Sequence, residues 1–294
     1  MNMKLSAVLI AIAATSAIPA AIHAQPKPER TYAQRLVDEA MARHPDVLVL
    51  AMHVTPPKSA DNVIIASNIG RIGKKADEDD LRVIHTGKPN LEVNKTGDRF
   101  EVELPLQDLS HRTVGALGVV YPYKAGDDKL ALQKKAETIR EELRGRISHT
   151  ANLMDPERFD TETPMGTYAQ ALVDKTLAAH PEVLILGMHV TPPNRSENVI
   201  LASNIGRIGK KADEDDMGVI RTGKTKLEVN ETGDRFEVEL VLHDAAAKPI
   251  GALGVVFAYK KGDSEAAFQK KAESVRDEMA RQIPSLAKLV EPAR

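Results

Sequence analysis

The sequence predicts an α+β protein built from two tandem domains, each a five-stranded antiparallel sheet with flanking helices. Three observations carry this. Residues 31–147 align with residues 167–283 at a constant offset and without a gap, a period of domain size rather than of a solenoid repeat. Within each unit the apolar residues alternate between helical and strand periods, in the order helix, strand, strand, helix, strand, strand, strand, helix. The strands lie close enough in sequence to pair antiparallel with their neighbours, apart from the connection over the middle helix.

Tyr32–Arg43 opens the first unit as a helix, with Tyr32, Leu36, Val37, Ala40 and Met41 on one face. His44-Pro45 ends it, because the residue before proline avoids the helical region. Residues 47–54 (VLVLAMHV) are apolar on both faces, as in a central strand, and Pro56-Pro57 stop them. Residues 63–67 form a second strand. The stretch ASNIGRIGKKADEDD follows at 66–80 and recurs letter for letter at 202–216. Its glycines permit a sharp bend. Asp77 and Asp80 are spaced for a box-like helix start, and the next two acids favour the positive end of the helix dipole. That helix carries Leu81 and Ile84 and ends at Gly87. Residues 91–94 and 100–106 are strands about the turn Thr96-Gly97-Asp98. Phe100, Val102 and Leu104 point one way, and Glu101 and Glu103 point to an exposed face. A longer apolar strand covers 113–123. A closing helix covers 127–147, with Leu130, Ala136, Ile139, Leu143 and Ile147 as its stripe. The domains are expected at 28–150 and 167–290, with a polar, proline-bearing linker at 151–166.

Charged residues make up 28% of the chain at a formal net charge of -2, so no excess of either sign points to nucleic acid or to a polybasic membrane contact. Aromatics are 3%, without tryptophan, too sparse for stacking platforms. The absence of cysteine removes disulfides, thiol catalysis and cysteine-ligated metal. The first 24 residues have the layout of a cleaved secretory signal peptide: a short basic start, a small apolar run and Ile22-His23-Ala24 before Gln25. Later residues contain no other apolar run of spanning length. A periplasmic or secreted location is expected.

The element order, the long first helix, the strand leading into Ser67-Asn68-Ile69-Gly70, the helix-containing connection after it and the final strand VGALGVV at 114–120 make each unit similar to an extracellular sensor domain of the Cache (PDC) type, which is PAS-like. The resemblance implies binding of a small metabolite such as an amino acid or carboxylate, between the sheet and the connection at 68–87 or 204–223. It also implies a membrane-bound signalling partner, because this chain shows no output module.

The candidate ligand residues are His53, Asn68, Arg71, Lys74 and Lys75, with His189, Asn204, Arg207, Lys210 and Lys211 as their twins. The arginines suit bidentate pairing with a carboxylate or phosphate. The histidines sit at a strand end, and the asparagines cap a turn or reach a ligand. The acidic run lacks the ligand spacing of a calcium loop, no second histidine stands at metal spacing, and no catalytic constellation or cofactor motif is legible. A non-enzymatic binding or sensory protein for an anionic metabolite is the leading expectation. The alternative is an interaction scaffold with filled pockets, dimerising through the closing helices.

Overall fold

The computed structural model describes residues 30–293; the expected signal peptide lies outside them. The first unit comprises α1 (Tyr32–Arg43), β1 (Val49–Val54), β2 (Val63–Ser67), α2 (Glu78–Thr86), β3 (Asn90–Val93), β4 (Arg99–Gln107), β5 (Thr113–Pro122) and α3 (Lys129–Arg144). The second repeats it as α4 (Tyr168–Ala179), β6 (Val183–Val190), β7 (Val199–Ser203), α5 (Glu214–Thr222), β8 (Lys226–Val229), β9 (Arg235–His243), β10 (Pro249–Ala258) and α6 (Glu265–Ala280), followed by α7 (Leu286–Leu289).

Each unit is one five-stranded antiparallel sheet with flanking helices, ordered β2-β1-β5-β4-β3 and β7-β6-β10-β9-β8. The adjacent pairings are those expected. The first strand also pairs with the last: His53 stands opposite Ala116. Gly115 allows this approach, since a Cβ there would lie 2.1 Å from the His53 carbonyl oxygen.

One sheet face carries the core. Leu50, Met52, Phe100, Val102, Leu104, Leu117 and Val119 pack beneath α1 and α3, through Leu36, Val37, Ala136, Ile139 and Leu143. Burying these side chains, each worth roughly 1.5–3 kcal/mol, holds the helices down. The stripe of α3 is therefore covered within its own unit, and Leu130, expected on it, is 58% exposed because it precedes the turn that meets the sheet. In α2 the buried apolar residue is Val83, whereas Leu81 is exposed.

The segment between the units is ordered against both. A 3-10 turn spans Thr150–Met154, and Tyr32 N donates to Asp155 O at 2.8 Å. The second unit closes the same way, with Tyr168 N donating to Glu291 O at 2.7 Å.

Candidate functional site

The second sheet face lies beneath α2 in one unit and α5 in the other. Each of these helices begins with a capping box: the Asp77 carboxylate accepts from the amides of Asp79 and Asp80, and Asp213 does the same for its twin helix. The second member of the box has another contact. Asp80 Oδ2 accepts from Asp77 N at 3.0 Å and lies 3.1 Å from His53 Nδ1. Asp216 Oδ2 accepts from Asp213 N at 2.9 Å and lies 3.2 Å from His189 Nδ1. The helix cap is thus tied to the histidine on the central strand.

Beside each pair stand two glutamates from the neighbouring long strand. The alternation in β4 was expected to leave Glu101 and Glu103 on an open face. The structure corrects this: α2 folds over that face, and Glu103 is buried at 7% exposure. Its Oε2 accepts from Asn90 Nδ2 at 3.1 Å. Small residues opposite make the room, since a Cβ at Gly254 would lie 3.2 Å from Glu237 Oε1.

Burial and the neighbouring acids push Glu103 up to about 8, against the hydrogen bond from Asn90. Glu239 is likewise pushed up to about 8. Burial also raises Glu101 and Glu237. For Asp80 and Asp216 burial acts upward too, but the histidine and the cap amide outweigh it and hold both carboxyls low. The cluster therefore contains firmly ionised aspartates beside glutamates that resist ionisation, because carboxylates this close cannot all carry charge in a partly desolvated site.

In the second unit these groups line a cavity of ≈ 170 Å³ with a carboxylate floor, Asp213, Asp216, Glu237 and Glu239, and a basic rim, Arg207, Lys210 and Lys211. An adjoining cleft of ≈ 380 Å³ shares Asp213, Glu237 and Glu239 and adds Lys226. In the first unit a cleft of ≈ 290 Å³ is lined by Arg71, Arg99, Glu92 and Glu101. Asp77, Asp80 and Glu103 bring carboxylate oxygens within 4.8 Å of one another and are the residues that could approach a cation, although two of them already accept cap amides.

The expected residues divide by surroundings. His53 and His189 sit inside the acid cluster. The Asn68 amide is engaged with backbone, its Oδ1 accepting from Leu50 N at 2.9 Å and its Nδ2 donating to Leu48 O at 3.0 Å. Asn204 repeats both bonds, so the pair extends the edge of the central strand. Lys75 pairs with Asp61 at 2.8 Å, and Lys211 pairs with Glu197 in the same way. Lys74 and Lys210 are exposed. Arg71 is exposed at the rim. Arg207, with the same neighbours in sequence, is half-buried and lies 3.4 Å from Asp155. Sequence reasoning missed Asp80, Asp216, Glu103 and Glu239 as members of the site. The available signal was a pair of glutamates facing a strand glycine.

A cleft of ≈ 550 Å³ lies where the units meet and is lined by Asp108, Arg112, Ser148, His149 and Arg235. Its guanidinium groups are already paired: Arg112 with Asp108 at 2.8 Å, and Arg235 with Ser148 O at 2.8 Å. It joins the units.

No family model matches the sequence. No curated protein matches it significantly. Similar solved structures include the Agobacterium tumefaciens repressor BlcR, at 8% identity over 40% of this chain and 67% of that one, with a TM-score of 0.30. Another is the periplasmic domain of RsbU from Chlamydia trachomatis, at 9% identity over 79% and 77%, TM-score 0.25. A third is PelD from Pseudomonas aeruginosa PAO1, at 14% over 90% and 83%, TM-score 0.27. Superpositions this loose carry no argument about function. Among the described residues no helix is long and apolar enough to cross a membrane.

Proposed function

We propose that the chain is a tandem Cache-type binding or sensory protein of the periplasm or extracellular space, taking up a small metabolite beneath the loop-and-helix cover of its sheets and passing the bound state to a membrane-bound partner. The supporting observation is the second-unit cavity, with carboxylates on the sheet side and Arg207, Lys210 and Lys211 on the loop side. A ligand suited to both carries an anionic group for the rim and an ammonium or other hydrogen-bond donor for the floor, as a small amino acid does. The cavity's ≈ 170 Å³ sets a size limit of a few heavy atoms. Its open volume weighs against a scaffold with filled pockets. The reading is of binding without bond making.

Isothermal titration of the full chain with small amino acids, dicarboxylates and alkylamines tests this. Amino acids should bind, and Glu239→Gln should weaken them by about tenfold above about pH 8, where the Glu239 carboxyl ionises and forms a charge-assisted hydrogen bond, and by less below it. Binding of dicarboxylates alone would return the reading to a purely anionic ligand. No heat and no thermal shift with any of the three classes would remove the proposal.

A further inference from the structure

The duplicated loop exists in two environments within one molecule. In the second unit it is docked. Tyr32 Oη donates to Asn204 O at 3.0 Å, Asn204 Nδ2 donates to Gly145 O at 3.0 Å, and Asn152 Nδ2 donates to Ile205 O at 3.0 Å. Arg207 meets Asp155. Ile205 and Ile208 are 6% and 3% exposed. In the first unit the identical loop touches no such surface among the described residues. Ile69 and Ile72 are 44% and 58% exposed. Around the Cβ positions of Gly70 and Gly73 there is nothing within 4 Å, whereas a Cβ at Gly206 would lie 2.6 Å from the Tyr32 ring.

The surface that receives the docked loop is also duplicated. Tyr168 occupies the place of Tyr32, and its Oη donates to Gln282 O at 2.6 Å, as Tyr32 Oη does to Arg146 O at 2.9 Å. The backbone carbonyl of Arg281 stands for that of Gly145, and Glu291 supplies the acid that Asp155 supplies. Tyr32 is 0% exposed under the docked loop; Tyr168 is half-exposed, and Arg281 and Glu291 are exposed. Among the described residues one chain thus presents an exposed copy of the loop at one end and, at the other, an exposed copy of its receptor surface, in which Glu291 meets Lys288 as Asp155 meets Asn152.

We propose that the occupant of the exposed 68–73 loop is a second copy of this chain, received by the ends of α4 and α6 and by α7, so that the contact between units within one molecule is repeated between molecules. Such a contact is heterologous: it joins head to tail, leaves both outer ends open, and builds rings or filaments rather than closed two-fold dimers. Phe159 and Asp160 also cover the docked loop from the inter-unit segment, Phe159 N donating to Ile208 O at 2.7 Å. The intermolecular contact is expected to be transient, with dissociation at roughly 10–100 μM.

Sedimentation velocity of the full chain from micromolar to millimolar concentration tests the proposal. The weight-average mass should rise with concentration past that of a dimer. Arg71→Glu and Glu291→Arg should each weaken association by at least about tenfold, and the double variant should regain it. Ile72→Glu, at an exposed position that leaves folding unaffected by circular dichroism, should weaken it likewise. A monomer at every concentration overturns the proposal. So does association that Glu291→Arg leaves unchanged, or that the double variant fails to restore, because a symmetric loop-to-loop dimer would behave in those ways.

Discussion

Replacing Glu103 and Glu239 by glutamine should make the protein more stable in alkali and nearly unchanged in mild acid. Both carboxyls are shifted from 4.5 to about 8 in the fold. A carboxyl raised in this way favours the native state while protonated. Its contribution is fully present below about 4.5, where both states hold the proton, and is lost as pH climbs through about 8. At about 1.4 kcal/mol per pKa unit the ceiling is about 5 kcal/mol for each group. Glu239 borders an open cavity, and solvent screening brings a working figure nearer 2 kcal/mol each. Of the groups facing the glutamates, Asp80 and Asp216, held low, act in a different range, contributing above their ordinary range and lost only in strong acid, whereas Glu101 and Glu237, raised by burial, act in the same direction and are present in both proteins. His180, raised by Glu278 and Glu182, also loses its contribution as pH rises past neutrality, and a Glu278→Gln background removes the larger part of it. Urea unfolding at pH 5, 7 and 9 is the assay. Wild type should lose stability steadily across that range. In the Glu103→Gln/Glu239→Gln variant the loss should shrink by about 4 kcal/mol. An unchanged pH slope, or a double variant less stable than wild type at pH 9, would show that the glutamates are ionised and held by their neighbours, and the electrostatic reading would be wrong.

Alanine at Gly70 and at Gly206 meets nearly the same backbone, φ 74° and 76°, but different surroundings. Gly70→Ala should cost about 1 kcal/mol from left-handed strain alone, whereas Gly206→Ala, with its Cβ 2.6 Å from the Tyr32 ring, should cost about 1–3 kcal/mol more by forcing the units apart; paired urea curves check the difference. Tyr32→Phe deletes the hydroxyl that bridges to Arg146 O and Asn204 O across the junction, and should cost about 1 kcal/mol and increase protease cleavage within 155–166, measured by limited proteolysis.

Most element boundaries were legible because local chemistry writes them. Thr31 caps α1, Asp77 and Asp80 box the start of α2, and Gly87 takes the left-handed position after it. Three features were hidden because they depend on distant partners. The pairing of β1 with β5 joins strands separated by most of a unit, and no local signal marks it. The alternation that placed Glu101 and Glu103 on a second face was read correctly, but alternation reports sidedness and is silent on whether a helix covers that side. The two loops could not be told apart, because their sequences are identical and only the neighbouring unit distinguishes them.

That difference has a kinetic consequence. A rim clamped by Tyr32, Asn152 and Asp155 has already lost its conformational freedom before anything enters the second cavity, whereas the rim at 68–73 must lose it at each encounter. For a common ligand the clamped site is preorganised, with the slower release and the tighter hold, and the free site exchanges rapidly. Two pockets whose rims share one sequence would then read two concentration ranges.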